Sequence, residues 1–207
     1  MRPLFILFAE KSTWLLLARI STQAIGFVFT VLVARFLGEA GLGQYSFISA
    51  IIFLGNTAAS FGMDALLIRE LAGQKNDRQT RDLLGSAIWL QLILSITFLI
   101  ALQLLANQLP LSTIGTVTAL RLYSLALIPL SFFSVFSAAL RAAERMDLFF
   151  AANLTSGLLQ IVLGALFLLS GAGLVEISIL LFLTQTWAAL HSGWLCYKYI
   201  NSFFHDS

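Results

Sequence analysis

Six long runs of apolar residues, separated by short polar loops, dominate the chain. The runs cover residues 12–34, 42–63, 83–106, 117–140, 148–170 and 174–197. As a helix rising about 1.5 Å per residue, each run is long enough to cross about 30 Å of hydrocarbon. The pattern therefore predicts an all-α integral membrane protein with six transmembrane helices.

Most of the basic residues fall in alternate loops. Nine of the twelve lie on one predicted side: Arg2, Lys11, Arg69, Lys75, Arg78, Arg81, Arg141, Arg145 and Lys198. Arg35 and Arg121 lie at span ends on the other side, and Arg19 lies inside the first span. Because Lys and Arg concentrate in cytoplasmic loops, we predict a multi-pass protein of the cytoplasmic membrane with both termini in the cytoplasm.

Composition narrows the class of protein. A chain with 59% hydrophobic and 11% charged residues would be insoluble outside a membrane. The short loops contain no block of charge that would suit nucleic acid, so nucleic acid is not an expected partner. One cysteine, Cys196, and two separated histidines, His191 and His205, predict neither a disulfide nor a metal site. We also find no phosphate-binding glycine loop and no nucleophile elbow, so neither an enzyme nor a cofactor is expected.

The first and last residues fall outside the six spans. Residues 1–11 contain a short apolar run, 4–9, closed by Glu10 and Lys11. That run is short for a signal peptide, so we predict an amphipathic segment lying in the membrane interface. Residues 201–207 form a polar tail.

Polar residues inside the spans recur at helical spacing. They are Arg19, Gln23, Gly26 and Thr30 in the first span, Ser49, Asn56, Ser60 and Asp64 in the second, with Asp64 close to the cytoplasmic end, Asn153, Ser156, Gly157, Gln160 and Gly164 in the fifth, and Ser178, Gln185 and Ser192 in the sixth. Small and hydroxyl residues at this spacing are typical of helix packing. The amides of Gln23, Asn56, Asn153 and Gln160 are harder to satisfy by packing, so they either pack or line a wet cavity.

Arg19 is the most informative polar residue. It follows Trp14 by five residues, about 7–8 Å along a helix axis. At that depth its guanidinium either reaches back to the interface or faces a cavity. No Asp or Glu is expected at a comparable depth. A cavity holding Arg19 would therefore suit an anionic substrate better than a cationic one.

Several short motifs resemble one known family. The segment between the first two spans contains Arg35, Leu37, Gly38, Gly43 and Tyr45, in the pattern Arg, then Leu-Gly, then Gly-x-Tyr. Further matches are Gly62 with Arg69 and Glu70 after the second span, and Arg141 in the basic loop after the fourth. This order resembles the lipid-linked oligosaccharide flippases of the multidrug/oligosaccharidyl-lipid/polysaccharide exporter superfamily.

The resemblance implies a fold and a function. The fold would be one six-helix lobe of a MATE-like transporter, and the substrate an undecaprenyl-pyrophosphate-linked oligosaccharide used for cell-surface polysaccharide. In this interpretation Arg19, with Arg35 or Arg121, attracts the phosphates. The four amides Gln23, Asn56, Asn153 and Gln160 would then hydrogen-bond sugar hydroxyls. Pro129, in the middle of the fourth span, either kinks that helix for motion or produces a static packing kink.

Flippases of this family have two six-helix lobes, and this chain matches the first. A second lobe is therefore an expected partner, as are a polysaccharide polymerase or glycosyltransferases. The chain is then a truncated or split product, a half-transporter that dimerises, or a fragment. We favour truncation or splitting over a homodimer, although an even number of spans permits two copies to pair about an axis along the membrane normal.

Two other functions remain open. A multidrug or organic-cation exporter of the same superfamily would be expected to carry a buried carboxylate in its first lobe, and the sequence offers none. A non-transporting membrane protein, either an assembly partner or the product of a broken gene, is the second alternative.

Overall fold

Seven α-helices build the protein in the computed structural model, which describes residues 4–60, 62–73, 77–108 and 114–203. They are α1 (Leu4–Ser60), α2 (Met63–Gly73), α3 (Asp77–Leu105), α4 (Ile114–Ser124), α5 (Leu127–Ala142), α6 (Met146–Leu169) and α7 (Leu174–Phe203). These ranges contain no strand, and the all-α prediction is confirmed. The residues assigned to an interfacial segment fall in the first turns of α1 from Leu4 onward.

Within the described ranges, five stretches of helix are long and apolar enough to cross a membrane: Leu16–Ser60, Asp82–Leu105, Gly115–Ala142, Met146–Leu169 and Leu174–Lys198. The first is twice the usual length because it holds two spans. Gly38 divides it into halves of nearly equal length, at φ 72° and ψ −171°. Only glycine adopts that backbone conformation readily, so this residue alone turns the chain between the first two spans.

The helix of the fourth span is broken just before Pro129. α4 ends at Ser124 and α5 begins at Leu127. Pro129 has no N–H, and its ring would clash with the Leu125 carbonyl four residues back. That carbonyl instead accepts the Ile128 N–H, with an N···O distance of 3.3 Å. The break therefore lies in the turn before Pro129, and the proline itself is buried inside α5.

A helix, α2, occupies the start of the predicted loop between the second and third spans. Gly62, at φ 74°, turns the chain just before it. Leu67 of α2 is buried against Ala87 of α3 and Val135 of α5. The apolar face of this short helix closes one end of the bundle.

α5 lies at the centre of the bundle, in contact with α2, α3 and α7. The first half of α1 packs on α6, and two glycines bring these helices close together. A Cβ atom on Gly157 would lie 2.5 Å from Ile25 Cδ1, and one on Gly164 would lie 2.5 Å from Phe29 Cε2. These contacts confirm glycine as a packing residue on this face of α6.

We expect Gly164→Ala to lower the thermal unfolding midpoint in detergent. The added methyl would push the buried Phe29 ring out of its position, at a cost of about 1–3 kcal/mol. Gly85→Ala is the matched control, because a Cβ there meets nothing within 4 Å. Equal midpoints for the two variants would show that α1 and α6 are not packed this closely.

Candidate functional site

A polar cavity of about 270 Å³ lies between the first half of α1, α5, α6 and α7. Six of its lining residues carry an amide or a hydroxyl: Thr22, Asn153, Ser156, Gln160, Thr184 and Gln185. The remainder of the wall is made by Ile25, Gly26, Phe133, Gly157 and Ala188. Polar residues of α1, α6 and α7 thus face one shared cavity, which is large enough to hold water.

Two glutamine amides face this cavity. Within the described part of the chain, the side chains of Gln160 and Gln185 make no hydrogen bond. Asn153 donates one N–H to the Phe149 carbonyl at 2.9 Å. Each glutamine amide can donate two hydrogen bonds and accept two more. These groups are therefore available to water or to a polar ligand.

The hydroxyl groups in the cavity wall act chiefly as acceptors. Thr22, Ser156 and Thr184 each donate their proton to a carbonyl of their own helix, at 2.8, 2.7 and 3.0 Å. Their remaining lone pairs can accept a hydrogen bond from a ligand. Among the described lining residues none is charged, so the cavity combines neutral donors with neutral acceptors.

The structure brings together some of the predicted binding residues. Asn153 and Gln160 line the cavity. Gly26 lines it too, and it belongs with Arg19, Gln23 and Thr30 to the polar face of α1, here called the α1 seam. Gln23 and Arg19 continue that seam by one and two further turns, and both are exposed. Neither lines the cavity. The wall of the cavity is therefore not electropositive, although we expected arginine there to attract the phosphates.

Three other predicted residues lie outside the cavity. Asn56 is half-buried in the second half of α1, and Arg35 is exposed one turn before the Gly38 break. Arg121 lies in the last turn of α4 and donates to Asn107 Oδ1 at 3.3 Å. Roles for these residues in binding stay predictions.

The family motif residues are mostly found at turns and packing contacts. Gly38 and Gly62 each lie at a turn with positive φ. Leu37 packs in the apolar cluster around Phe29, and the Tyr45 ring lies 5.8 Å from the Phe29 ring. Gly43 is exposed in the second half of α1, and Arg69 pairs with Glu70 at 2.9 Å on the surface.

Arg141, the last motif residue, belongs to a polar network that joins four helices. It donates to Asp64 Oδ2 at 3.4 Å and lies 5.3 Å from the centre of the Phe149 ring. The Ser134 hydroxyl donates to Asp64 Oδ1, and the Gln91 amide donates to that hydroxyl at 3.3 Å. Asp64 is on α2, Gln91 on α3, Ser134 on α5 and Phe149 on α6. Sequence analysis did not connect these residues, because their contacts join distant parts of the chain.

No group of three or more His, Cys, Asp or Glu close enough to bind a metal ion occurs in the parts of the chain that the structure covers. The amides and hydroxyls that face the polar cavity make it our candidate for ligand binding.

Comparison with known proteins identifies relatives of this arrangement. The model of the family described as polysaccharide biosynthesis protein matches residues 8–206. Stage V sporulation protein B of Bacillus subtilis (strain 168) is 30% identical over 94 residues, which are 44% of this chain and 18% of that protein.

Two solved structures have a similar fold. The outward-facing conformation of a multidrug resistance MATE family transporter of the MOP superfamily matches with a TM-score of 0.83 and 19% identity. A crystal structure of MATE in complex with MaL6 matches with a TM-score of 0.81 and 18% identity. Each match covers 92% of this chain and 45% of the solved one, so the chain spans less than half the length of these proteins.

Proposed function

As this chain belongs to the polysaccharide biosynthesis protein family, we propose that it forms one lobe of a transporter for a lipid-linked oligosaccharide. The substrate would be an undecaprenyl-pyrophosphate-linked sugar, moved from the inner to the outer leaflet of the cytoplasmic membrane. The polar cavity between α1, α5, α6 and α7 is the observation that carries this proposal.

The chemistry of the cavity suits sugar hydroxyls. A hydroxyl group both donates and accepts hydrogen bonds, and the amides of Gln160 and Gln185 offer both functions without a competing protein partner. A neutral wall also avoids the cost of removing water from a charged residue. The cavity is therefore suited to an uncharged, hydroxyl-rich group.

The charged part of the substrate would bind outside this cavity. Arg19 lies seven residues before Gly26 on the α1 seam, about 10 Å along the helix axis. Its guanidinium is exposed and has no hydrogen-bond partner or ion pair among the described residues. Arginine binds phosphate oxygens with two parallel hydrogen bonds, so Arg19 is our candidate for the pyrophosphate.

A second lobe would complete the site. The first half of α1 is buried on one side only, and large apolar residues such as Leu16, Ile20 and Phe27 stay exposed on the other. The similar solved structures are about twice as long as this chain. A second six-helix lobe, from a separate chain or a second copy, could cover part of α1 and enclose the space next to Arg19.

Export of drugs or organic cations is the other candidate function, favoured by the likeness in fold to the MATE structures. The lining of the polar cavity argues against it. A cation is usually held by a carboxylate, and the described residues around this cavity offer none.

The test is transport of the lipid-linked oligosaccharide in cells that lack their own flippase, with the second lobe supplied. We expect Gln160→Leu and Gln185→Leu each to reduce surface polysaccharide about tenfold, because each removes the hydrogen bonds of one amide to the sugar. Gln79→Leu, on the exposed start of α3, is the matched control.

Full transport by both cavity variants would contradict the proposal. Drug resistance without surface polysaccharide would favour the exporter. Stable insertion with neither activity would indicate a non-transporting assembly partner.

A further inference from the structure

An apolar groove of about 460 Å³ runs between α5 and α7. Ile128, Phe132 and Phe136 form one wall, and Phe182, Thr186 and Leu190 form the other. Thr186 is the single polar residue of the lining, and its hydroxyl donates to the Phe182 carbonyl at 2.8 Å. The groove therefore presents hydrocarbon surface along its whole length.

The groove shares no lining residue with the polar cavity, and its walls favour hydrocarbon over water. It lies within the stretch Leu174–Lys198, which is long and apolar enough to cross the membrane. Water gains no hydrogen bonds from such walls, so an apolar space of this kind stays dry. A hydrocarbon chain can fill it without losing any polar contact.

A cation lies beyond one end of this groove, about two turns of α7 after the last lining residue, Leu190. Leu190, Trp194 and Lys198 follow one another at steps of four along α7 and so share one side of the helix. Leu190 is 67% exposed and Trp194 54% exposed. The Lys198 Nζ lies 5.0 Å from the centre of the Trp194 ring. Tryptophan and lysine together are typical of the level of the lipid headgroups.

We propose that this groove binds one anionic phospholipid, with an acyl chain between α5 and α7 and the phosphate at Lys198. Leu190 and Lys198 are about 12 Å apart along the helix, a distance that a lipid molecule can bridge. The positive charge matches an anionic headgroup, and the dry walls match the chain. The site does not depend on the transport activity proposed above.

The experiment measures quenching of Trp194 by brominated acyl chains. Replacing Trp14, Trp89 and Trp187 with Phe leaves Trp194 as the single tryptophan. In vesicles of unlabelled phosphatidylcholine, a small fraction of brominated phosphatidylglycerol should quench Trp194 more than the same fraction of brominated phosphatidylcholine. We expect Lys198→Gln to reduce this preference about fivefold, in line with the attraction of one cation to an anionic membrane.

A second variant tests the groove itself. Thr186→Phe fills the space with a ring and should also remove the preference. The controls are Arg69→Gln, an exposed cation on α2, and Ile179→Phe, an exposed position of α7 outside the groove lining. Lys198→Gln changes a surface residue, so its result does not depend on whether Thr186→Phe folds.

Three results would overturn the proposal. The first is equal quenching by the two brominated lipids. The second is a preference for phosphatidylglycerol that survives Thr186→Phe in a folded protein, which would show attraction by charge alone. The third is loss of quenching on dimerisation, which would show that a second copy covers the groove.

Discussion

Gly38→Val is expected to prevent the first two spans from folding against the rest of the bundle. The backbone there has φ 72° and ψ −171°, a region that a β-branched residue does not adopt without strain. The cost is about 1–3 kcal/mol or more for the dihedral angles alone. Because no loop residues flank the turn, neighbouring residues cannot share the change. The measurement is the yield of protease-resistant protein in membranes, which should fall sharply.

Gly43→Val is the matched control for this substitution. Gly43 lies in the helix five residues later, and neither glycine has an atom within 4 Å of an added Cβ. The two variants therefore differ in backbone conformation and not in packing. A similar yield for both would show that the turn does not require glycine.

Asp64→Leu is expected to destabilise the folded protein by about 2–3 kcal/mol. It takes the acceptor from the Ser134 hydroxyl and the carboxylate from Arg141, in a network whose Gln91 member is only 1% exposed. Hydrogen bonds to charged groups contribute about 1.5–3 kcal/mol, and the partial exposure of Asp64 keeps the total below that of a fully buried pair. The thermal unfolding midpoint in detergent measures the effect.

Asp147→Leu is the control for Asp64→Leu, because it removes an ordinary surface ion pair. Asp147 pairs with Arg145 at 2.9 Å, and its side chain is 47% exposed against 40% for Asp64. The pair joins residues two apart in sequence and links no distant helices, so its loss should cost less than about 1 kcal/mol. The double variant Asp64→Leu/Arg141→Leu should recover part of the lost stability. Equal losses for Asp64→Leu and Asp147→Leu would reduce the network to a surface contact.

The spans were predictable because their signal is local. A run of about 20 apolar residues forms a membrane helix whatever its neighbours are. A turn between the first two spans was also predictable, since the segment that joins them contains three glycines, Gly38, Gly41 and Gly43. The extent of the turn was not, because the helix continues on both sides of Gly38 through most of the predicted loop.

Two features of the fold depend on tertiary contacts. α2 is held by burial of Leu67 against α3 and α5, and its sequence alone resembles a charged loop. The break before Pro129 shows how a proline acts on the carbonyl four residues earlier, so the position of the proline does not mark the bend.

The candidate site was only partly predictable for a geometric reason. Helical spacing shows which residues share a face, but not which face points inward. Thr22 lines the cavity and Gln23 does not, although the two are adjacent and about 100° apart around α1. Gln185 could be recognised as a polar residue of the sixth span. That it shares a cavity with Gln160 depends on the packing of α6 on α7, which the sequence does not show.

The neutral lining of the polar cavity bears on how voltage could act on this lobe. An electric field across a bilayer acts most strongly on net charge, doing about 2.3 kcal/mol of work per elementary charge for each 100 mV traversed. The amides and hydroxyls around Gln160 and Gln185 carry no net charge, so a change in membrane potential has little effect on the energy of the polar cavity itself. Any electrical driving force would then act through an anionic cargo, or through arginines such as Arg19 beside the pocket.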